Sequence, residues 1–485
     1  MNAFTLELSC GLRNINDVQS TIQRIQWEKL LENATQFGGP QHVYPLRNSF
    51  QRTSCIEINS FSNGRYYLVG TDNGSVALWQ FDAAIVNETE NSNGSTQRRL
   101  INRRVKVCKG KTPTNANRSN ITTITRNQPS NYTNNINNDN SRLVHSFETK
   151  YNKFRLYRGN GGVSSMGSAS SKQVGNNINQ SSPSQSLQHH QYGITCMKWY
   201  GNDDGMFFTA SHDKTIKIWD TNTFSAVQDI EFNYEVHYLD SIPSERNCIF
   251  VASDDYYPRM IDLRSMNLGV TIFGKSSKNS KITTMKSEIL ACKCNPIKDH
   301  IVASSDNDGR IKLWDLRMRN QLLMELQHHD SRFNNKAHVK PCNDLTWTED
   351  GKYLISIGLD GKILKWEPFN TSLLEMVTQI GDTDVSRNKY TKRTSQRLLS
   401  RYKYLIVNTD YSELQIFDTE QNKFWNKIDY PTDLLNEGDG NEGMFCGMSA
   451  QTDLSNSTGL RLLVGANSIH STKSDLRNNI LEFTC

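Results

Sequence analysis

The sequence predicts an all-β fold, a seven-bladed WD-repeat β-propeller with a short N-terminal helix and one long polar insert in or after its first blade. Three observations predict it. A hairpin-like unit recurs along the 485 residues, seven copies are countable, and the one interval too long for the period is filled by Asn-rich sequence.

The clearest copies are Phe207–Asp220, Ile301–Asp315 and Tyr353–Trp366. Each reads as an apolar strand, a tight polar turn, then a strand alternating apolar and polar residues up to a tryptophan. That is the pattern of a β-hairpin. Weaker copies are Tyr66–Trp79, Ile249–Asp262, Tyr404–Asp418 and Leu462–Phe483. The anchors are therefore Trp79, Trp219, Ile261, Trp314, Trp366, Phe417 and Phe483, spaced by 42 to 66 residues except for a first interval of 140. Phe483 leaves no room for a final strand. The segment near Val43 to Phe50 is expected to supply that strand and close the ring, which removes exposed sheet edges.

Within each repeat, Asp213, Asp255, Asp308 and Asp360 stand six residues before their anchor, where a carboxylate accepts turn amide hydrogens. His190 and His338 stand 29 and 28 residues before Trp219 and Trp366. This is the place of a structural histidine, so both are assigned to core hydrogen bonding and not to metal binding or catalysis. The propeller is assigned residues 42–485 and the helical segment residues 1–41. Residues 83–190, rich in Asn, Ser, Gln and Gly, are expected to be mostly disordered. One outer strand of the first blade must lie inside them, either Arg142–Phe147 or Val105–Cys108. The basic cluster Arg98, Arg99, Arg103, Arg104, Lys106, Lys109 and Lys111 reads either as a nuclear-localisation or nucleic-acid-contacting segment or as a solvated charge run.

Ahead of the repeats, Asp17 is placed to cap a helix. Val18, Ile22 and Ile25 lie on one face, followed by Trp27, Leu30, Leu31 and Ala34 at helical spacing. The helix is expected either to lie on the ring or, the favoured reading, to dock into a partner groove.

The remaining features exclude more than they suggest. A net charge of +5 argues against direct nucleic-acid binding by the whole molecule, and no run of eighteen apolar residues is present to span a membrane. Ten scattered cysteines in apolar runs read as reduced core residues of a nuclear or cytosolic protein. No spacing fits zinc, and the group His328, His329 and His338 falls on a polar loop, so no cofactor or metal is expected. Gly269–Ser276 matches a phosphate-binding loop by letter. Its middle residues are β-formers and no helix follows, so it reads as the outer strand of the third blade and its exit loop. No catalytic constellation appears, and the chain is not expected to be an enzyme.

Gly205–Phe207 through Asp213–Thr223, Glu288–Ala291 with Ile311–Asp315, and Ala337-His338 with Asp350-Gly351 resemble the corresponding blades of the Cockayne syndrome A type of WD-repeat protein. The resemblance in spacing runs from about residue 42 to the end, the insert apart, and is specific between residues 191 and 366. It implies a substrate receptor of a cullin–RING ubiquitin ligase acting in transcription-coupled nucleotide excision repair in the nucleus. The partners it implies are a damaged-DNA-binding-type adaptor, the cullin–RING ligase and RNA polymerase II-associated repair factors.

In that family, docking on the adaptor goes with an aspartate, a Trp-Asp pair six residues on, and an arginine two further. Asp308, Trp314, Asp315 and Arg317 match the pattern. Asp255, Asp262 and Arg264 match it one blade earlier, with Ile261 at the tryptophan position. The arginines are the informative members, because the equivalent positions elsewhere hold Asn222 and Phe369. The resemblance also brings Val18, Ile22, Ile25, Trp27 and Leu30 into the docking element. The alternative is a general WD-repeat scaffold of another nuclear complex, such as chromatin or ribosome assembly, with the arginines forming surface ion pairs only.

Overall fold

Seven sheets arranged around a channel follow from the repeat, antiparallel but for one added strand in the second. The computed structural model describes residues 15–36, 40, 42–46, 52–59, 66–81, 102–108, 152–156, 189–201, 204–242, 247–264, 269–274, 287–317, 322–369, 377–382, 398–408, 413–431, 443–450, 461–468 and 478–484. The helix α1 (Ile15–Gln36) comes first, followed by β1 (His42–Leu46). Blade 1 is β2 (Thr53–Ile58), β3 (Tyr66–Thr71), β4 (Val76–Phe81) and β5 (Asn102–Cys108). Blade 2 holds β6 (Asn152–Leu156), β7 (Ile194–Trp199), β8 (Met206–Ser211), β9 (Thr215–Asp220) and β10 (Ser225–Phe232).

Blade 3 is β11 (Val236–Ser241), β12 (Cys248–Ser253), β13 (Arg259–Asp262) and β14 (Gly269–Ile272). Blade 4 is β15 (Ile289–Cys294), β16 (Ile301–Asp306), β17 (Ile311–Asp315) and β18 (Leu322–Leu326). Blade 5 is β19 (Cys342–Trp347), β20 (Leu354–Gly358), β21 (Lys362–Trp366) and β22 (Val377–Asp382). Blade 6 is β23 (Leu398–Arg401), β24 (Tyr404–Asn408), β25 (Glu413–Asp418) and β26 (Lys423–Asp429). Blade 7 combines β27 (Gly443–Ala450), β28 (Arg461–Ser468) and β29 (Asn478–Thr484) with β1 as its fourth strand. The pairing sets Val43 opposite Leu481, so the ring closes through the segment expected from the sequence.

Each anchor is held by the polar atoms its position demands. A buried indole N–H needs an acceptor, and the acceptor's own hydroxyl proton needs a destination. In blade 2, Trp219 Nε1 donates to Thr209 Oγ1 at 2.8 Å, His190 Nε2 meets the same oxygen at 2.6 Å, and His190 Nδ1 meets Asp213 at 2.8 Å. Blade 5 repeats the chain with Trp366 to Ser356 at 2.9 Å, Ser356 to His338 at 2.8 Å and His338 to Asp360 at 3.1 Å. Both histidines are fully buried.

Burial opposes ionisation of Asp213, but hydrogen bonds from His190, Thr215 and the Gln191 amide outweigh it and hold the carboxyl at about 2. In blade 4, Trp314 Nε1 donates to Ser304 Oγ at 2.8 Å. The nearby Asp306 is buried, and burial pushes its carboxyl up to about 6.

Inside the channel, residues at one level of neighbouring innermost strands alternate in charge. Lys198 Nζ bonds Glu57 at 3.0 Å and approaches Asp240 at 3.9 Å, while Lys293 lies over the Tyr238 ring at 4.8 Å. Cys55, Cys196, Cys248, Cys292, Cys294, Cys342 and Cys446 are buried and form no disulfide among the described residues.

Several expectations are refined. The outer strand of blade 1 is β5, which contains Val105–Cys108; Arg142–Phe147 lies outside the described residues. Arg103, Arg104 and Lys106 of the basic cluster therefore belong to a propeller strand, whereas Arg98, Arg99, Lys109 and Lys111 lie outside the described residues. Helix α1 begins at Ile15, so Asp17 sits in its first turn and does not precede it. Blade 2 has a fifth strand that the repeat does not foretell, because β6 adds in parallel to the outer side of β10.

Candidate functional site

Propellers present their turns on two faces. Every blade's innermost strand runs the same way along the channel, so turns from first to second strand and from third to fourth share one face. Turns from second to third strand open on the other. Arg264 follows β13 and Arg317 follows β17, which places both on the first of these faces, on adjacent blades.

The two arginines are held alike. Arg317 Nε lies 3.0 Å from Asp315 Oδ1 and its terminal nitrogen 2.6 Å from Oδ2. Arg264 makes the same two contacts to Asp262, both at 3.0 Å. In each pair the arginine amide also donates to the carboxylate at 3.0 Å. Hydrogen bonds from Arg264 lower the Asp262 pKa, and those from Arg317 lower that of Asp315. The side chains of Arg264 and Arg317 are 55 % and 65 % exposed, and each clamp fixes the plane of its guanidinium. A pre-ordered planar donor of this kind suits carboxylates or carbonyls on another protein.

The other members of the sequence pattern lie elsewhere. Asp308 sits in the turn between β16 and β17, on the opposite face, where it binds Lys336 at 2.6 Å and Arg310 at 3.2 Å. Asp255 is buried and ion-paired with Arg259. Trp314 is in the core. These three maintain blades and are not placed to contact a partner together with the arginines.

Helix α1 also lies on the arginine-bearing face. Its polar contacts reach the β23–β24 turn and the start of β24 in blade 6: Tyr402 Oη donates to Gln23 at 3.1 Å, Tyr404 Oη donates to Glu28 at 2.6 Å, and Lys403 pairs with Glu28 at 3.2 Å. The hydrogen bond from Tyr404 lowers the Glu28 pKa, aided by Lys403. Trp27, Leu30, Leu31 and Ala34 are buried in one cluster with Tyr404, Ile416, Ile428, Phe445 and Phe483. Trp27 and Leu30 therefore anchor the helix to the ring and are unavailable to a partner, a correction to their place in the docking element. Ile22 and Ile25 stay 44 % exposed each. The side chain of Val18 lies outside the described residues.

Sequence reasoning passed over Ile297, 66 % exposed in the β15–β16 turn of the same face. Its turn adjoins the Arg317 clamp, because Leu316 N donates to His300 O at 2.8 Å and the Asp299 charge acts on Arg317. The turn signal Asn295-Pro296 was legible; the outward direction of Ile297 was not.

The phosphate-loop match is a structural feature of blade 3. Gly269–Ile272 is the strand β14, and Gly274 has a φ of +77° with the Trp314 ring 3.0 Å from where a Cβ would stand. His328 stacks on Phe333 at 3.8 Å, and the described residues contain no cluster of three or more His, Cys, Asp or Glu able to hold a metal.

The fold defines a WD-repeat β-propeller, with Arg264, Arg317, Ile297 and helix α1 on one of its faces. The family described as WD domain, G-beta repeat matches residues 181–220, 279–315 and 325–367. Radiation-sensitive protein 28 of Saccharomyces cerevisiae is 37 % identical over 97 % of this chain and 98 % of its own, and the chain belongs to that family, the Cockayne syndrome A type of WD-repeat protein. The WD repeat-containing protein ATCSA-1 of Arabidopsis thaliana is 27 % identical over 26 % of this chain and 27 % of its own. A ribosome biogenesis protein WDR12 homolog of Drosophila mojavensis is 25 % identical over 41 % of this chain and 42 % of its own. Among solved structures, the Cps50 (Swd1) β-propeller domain of Myceliophteria thermophila superposes with a TM-score of 0.52 at 12 % identity, covering 92 % of this chain and 99 % of that one. That likeness is one of fold alone.

Proposed function

We propose that the protein is a non-catalytic substrate receptor of a cullin–RING ubiquitin ligase, working in transcription-coupled nucleotide excision repair in the nucleus. The face bearing Arg264 and Arg317 docks on a damaged-DNA-binding-type adaptor. The opposite face and the channel mouth are then left for the ubiquitylated substrate or for polymerase-associated repair factors. The observation that carries the reading is the pair of matched Arg–Asp clamps on adjacent blades, on the same face as the exposed Ile22 and Ile25 of α1. Membership of the Radiation-sensitive protein 28 family supports the repair context.

The test is affinity purification of the intact protein beside an Arg264→Ala/Arg317→Ala variant, with the partners identified by mass spectrometry. A cullin and an adaptor recovered with the first and lost from the second are expected. Recovery of neither with the intact protein sinks the receptor reading. The partial matches to ribosome biogenesis proteins favour one specific second reading, a scaffold in that assembly, which predicts ribosomal precursors in both purifications.

A further inference from the structure

Ile297 stands 66 % exposed in the β15–β16 turn, on the face that carries Arg264 and Arg317. A lone exposed aliphatic side chain is ordinary on a protein surface. The turn that holds this one, however, is fastened from within. Asn295 is buried, and its Oδ1 accepts hydrogen bonds from Ile297 N at 3.0 Å and Lys298 N at 2.7 Å. Nδ2 of the same side chain donates to Gly351 O at 2.8 Å, in the corresponding turn of blade 5. Gly351 has a φ of +63°, and a Cβ there would collide with Asn295 Oδ1, so the two turns are fitted to each other. Pro296 restricts the backbone further, and a branched isoleucine side chain is itself stiff at χ1.

We propose that Ile297 is the apolar anchor of the arginine-bearing face, entering an apolar pocket on the adaptor whose rim carries a carboxylate received by Arg317. This rests on adaptor docking by the same face and specifies the kind of partner surface that the face fits.

Three observations favour that occupant. The first is order: a side chain already fixed on a rigid turn loses little conformational freedom when a pocket closes over it. The second is charge. Arg317 is 65 % exposed and its partner Asp315 6 %, so the charge shown to solvent at the clamp is positive. Lys298 is exposed beside Ile297, with its Nζ 3.4 Å from the centre of the Phe369 ring. The turn's own carboxylate, Asp299, contacts His300 at 3.4 Å. Turn and clamp are tied by backbone, because Leu316 N donates to His300 O at 2.8 Å. An acidic rim around an apolar pocket complements this arrangement, and a basic rim opposes it. The third is contrast with the neighbouring blade, whose equivalent turn exposes Glu349, Asp350 and Lys352 in place of an aliphatic residue.

Quantitative affinity purification of the full chain tests this, with Ile297→Leu, Ile297→Thr and Ile297→Arg baits beside the intact protein and the Arg264→Ala/Arg317→Ala variant. The leucine variant is expected to recover the adaptor within about twofold of the intact protein, and the threonine and arginine variants to recover about fivefold less or lower still. The arginine variant discriminates, since it removes the apolar side chain and adds a cation. Undiminished recovery with it would make the contact one of charge alone and overturn the anchor. Denaturation midpoints are expected to be equal for all the Ile297 variants. A lowered midpoint for the threonine variant would make Ile297 part of the fold and also overturn the proposal. Recovery lost in the double arginine variant but kept in every Ile297 variant overturns the anchor and leaves adaptor docking in place. No adaptor with the intact protein removes adaptor docking itself, and the anchor with it.

Discussion

Arg317 and Asp315 form a two-pronged ion pair in which the carboxylate is nearly buried and the guanidinium is two-thirds exposed. The Arg264–Asp262 pair one blade earlier makes the same two contacts, with the carboxylate 30 % exposed. A clamp of this geometry does little for the stability of the free protein, since exposed ion pairs contribute about 0 to 1 kcal/mol. It does orient a donor before a partner arrives, which reduces the ordering cost of binding.

For that reason Arg264→Ala/Arg317→Ala is expected to leave the folding free energy unchanged within the error of a denaturant titration. Urea titration followed by tryptophan fluorescence checks this. A loss well outside that error would assign the arginines to blade architecture and remove them from the docking argument.

Replacing His338 by alanine is expected to cost about 2 to 4 kcal/mol, because it strands the Ser356 hydroxyl and the Asp360 carboxylate in the core. The same holds for His190 in blade 2. Denaturation midpoints of the two single variants measure it, and a cost below 1 kcal/mol would show that the relay is dispensable.

Two carboxyls give the fold opposite responses to acid. Asp213 is held at about 2, below its ordinary range, so it contributes on the order of 2 kcal/mol above that range, lost as pH falls through about 2. Asp306 is raised to about 6, so the native state holds its proton more tightly than the unfolded chain. Stability associated with it is full below the unfolded value near ~4 and declines as pH rises through about 6. Asp306→Asn keeps the acceptor that Asp308 N and Arg310 N use, at 3.0 and 2.8 Å, and is expected to flatten the pH dependence between about 4 and 6. Unfolding curves of both proteins across that interval decide the matter, and an unchanged slope would contradict the assignment.

Helix α1 should divide cleanly by substitution. Trp27→Ala removes a fully buried anchor and is expected to cost about 3 to 5 kcal/mol of helix docking, freeing residues 15–36 to proteolysis while the blades stay protected. Ile22→Ala/Ile25→Ala should change stability by less than about 0.5 kcal/mol per residue and act on partner binding alone. Limited proteolysis with mass readout separates the two cases.

How much of this was legible beforehand follows from where each residue sits. The anchors were, because a tryptophan that needs a hydroxyl ten residues earlier and an alternating strand behind it leaves a pattern in one dimension, as Trp219 with Thr209 and Trp366 with Ser356 show. The family resemblance and the closing strand were legible for the same reason. The partition of α1 was not. Ile22 and Trp27 are both apolar residues of one helix, and only the position of Tyr404 decides which of them is covered. Nor was the separation of Asp308 from Arg317. The five-residue strand β17 lies between them, and at roughly 3.3 Å per residue it carries them to opposite faces although they are near in sequence. The fifth strand of blade 2 was hidden because its partner side is set by a parallel pairing that no local periodicity records.

The way the ring is fastened also bears on how it is made. The strand β1 pairs with β29, and Thr53 N donates to Asn467 Oδ1 across 414 residues of chain at 3.0 Å. During synthesis, β1 emerges early and has no counterpart until β29 leaves the ribosome. The apolar surface of α1 is in the same position, since Tyr404 and Phe483 arrive late. For most of translation the nascent chain carries an unpaired strand and an uncovered helix, the kind of surface that chaperones hold. Contacts so distant in sequence also slow the final closure. The late arrival of β29 thus sets how long β1 stays unpaired, and a pause in elongation after blade 6 would lengthen that interval.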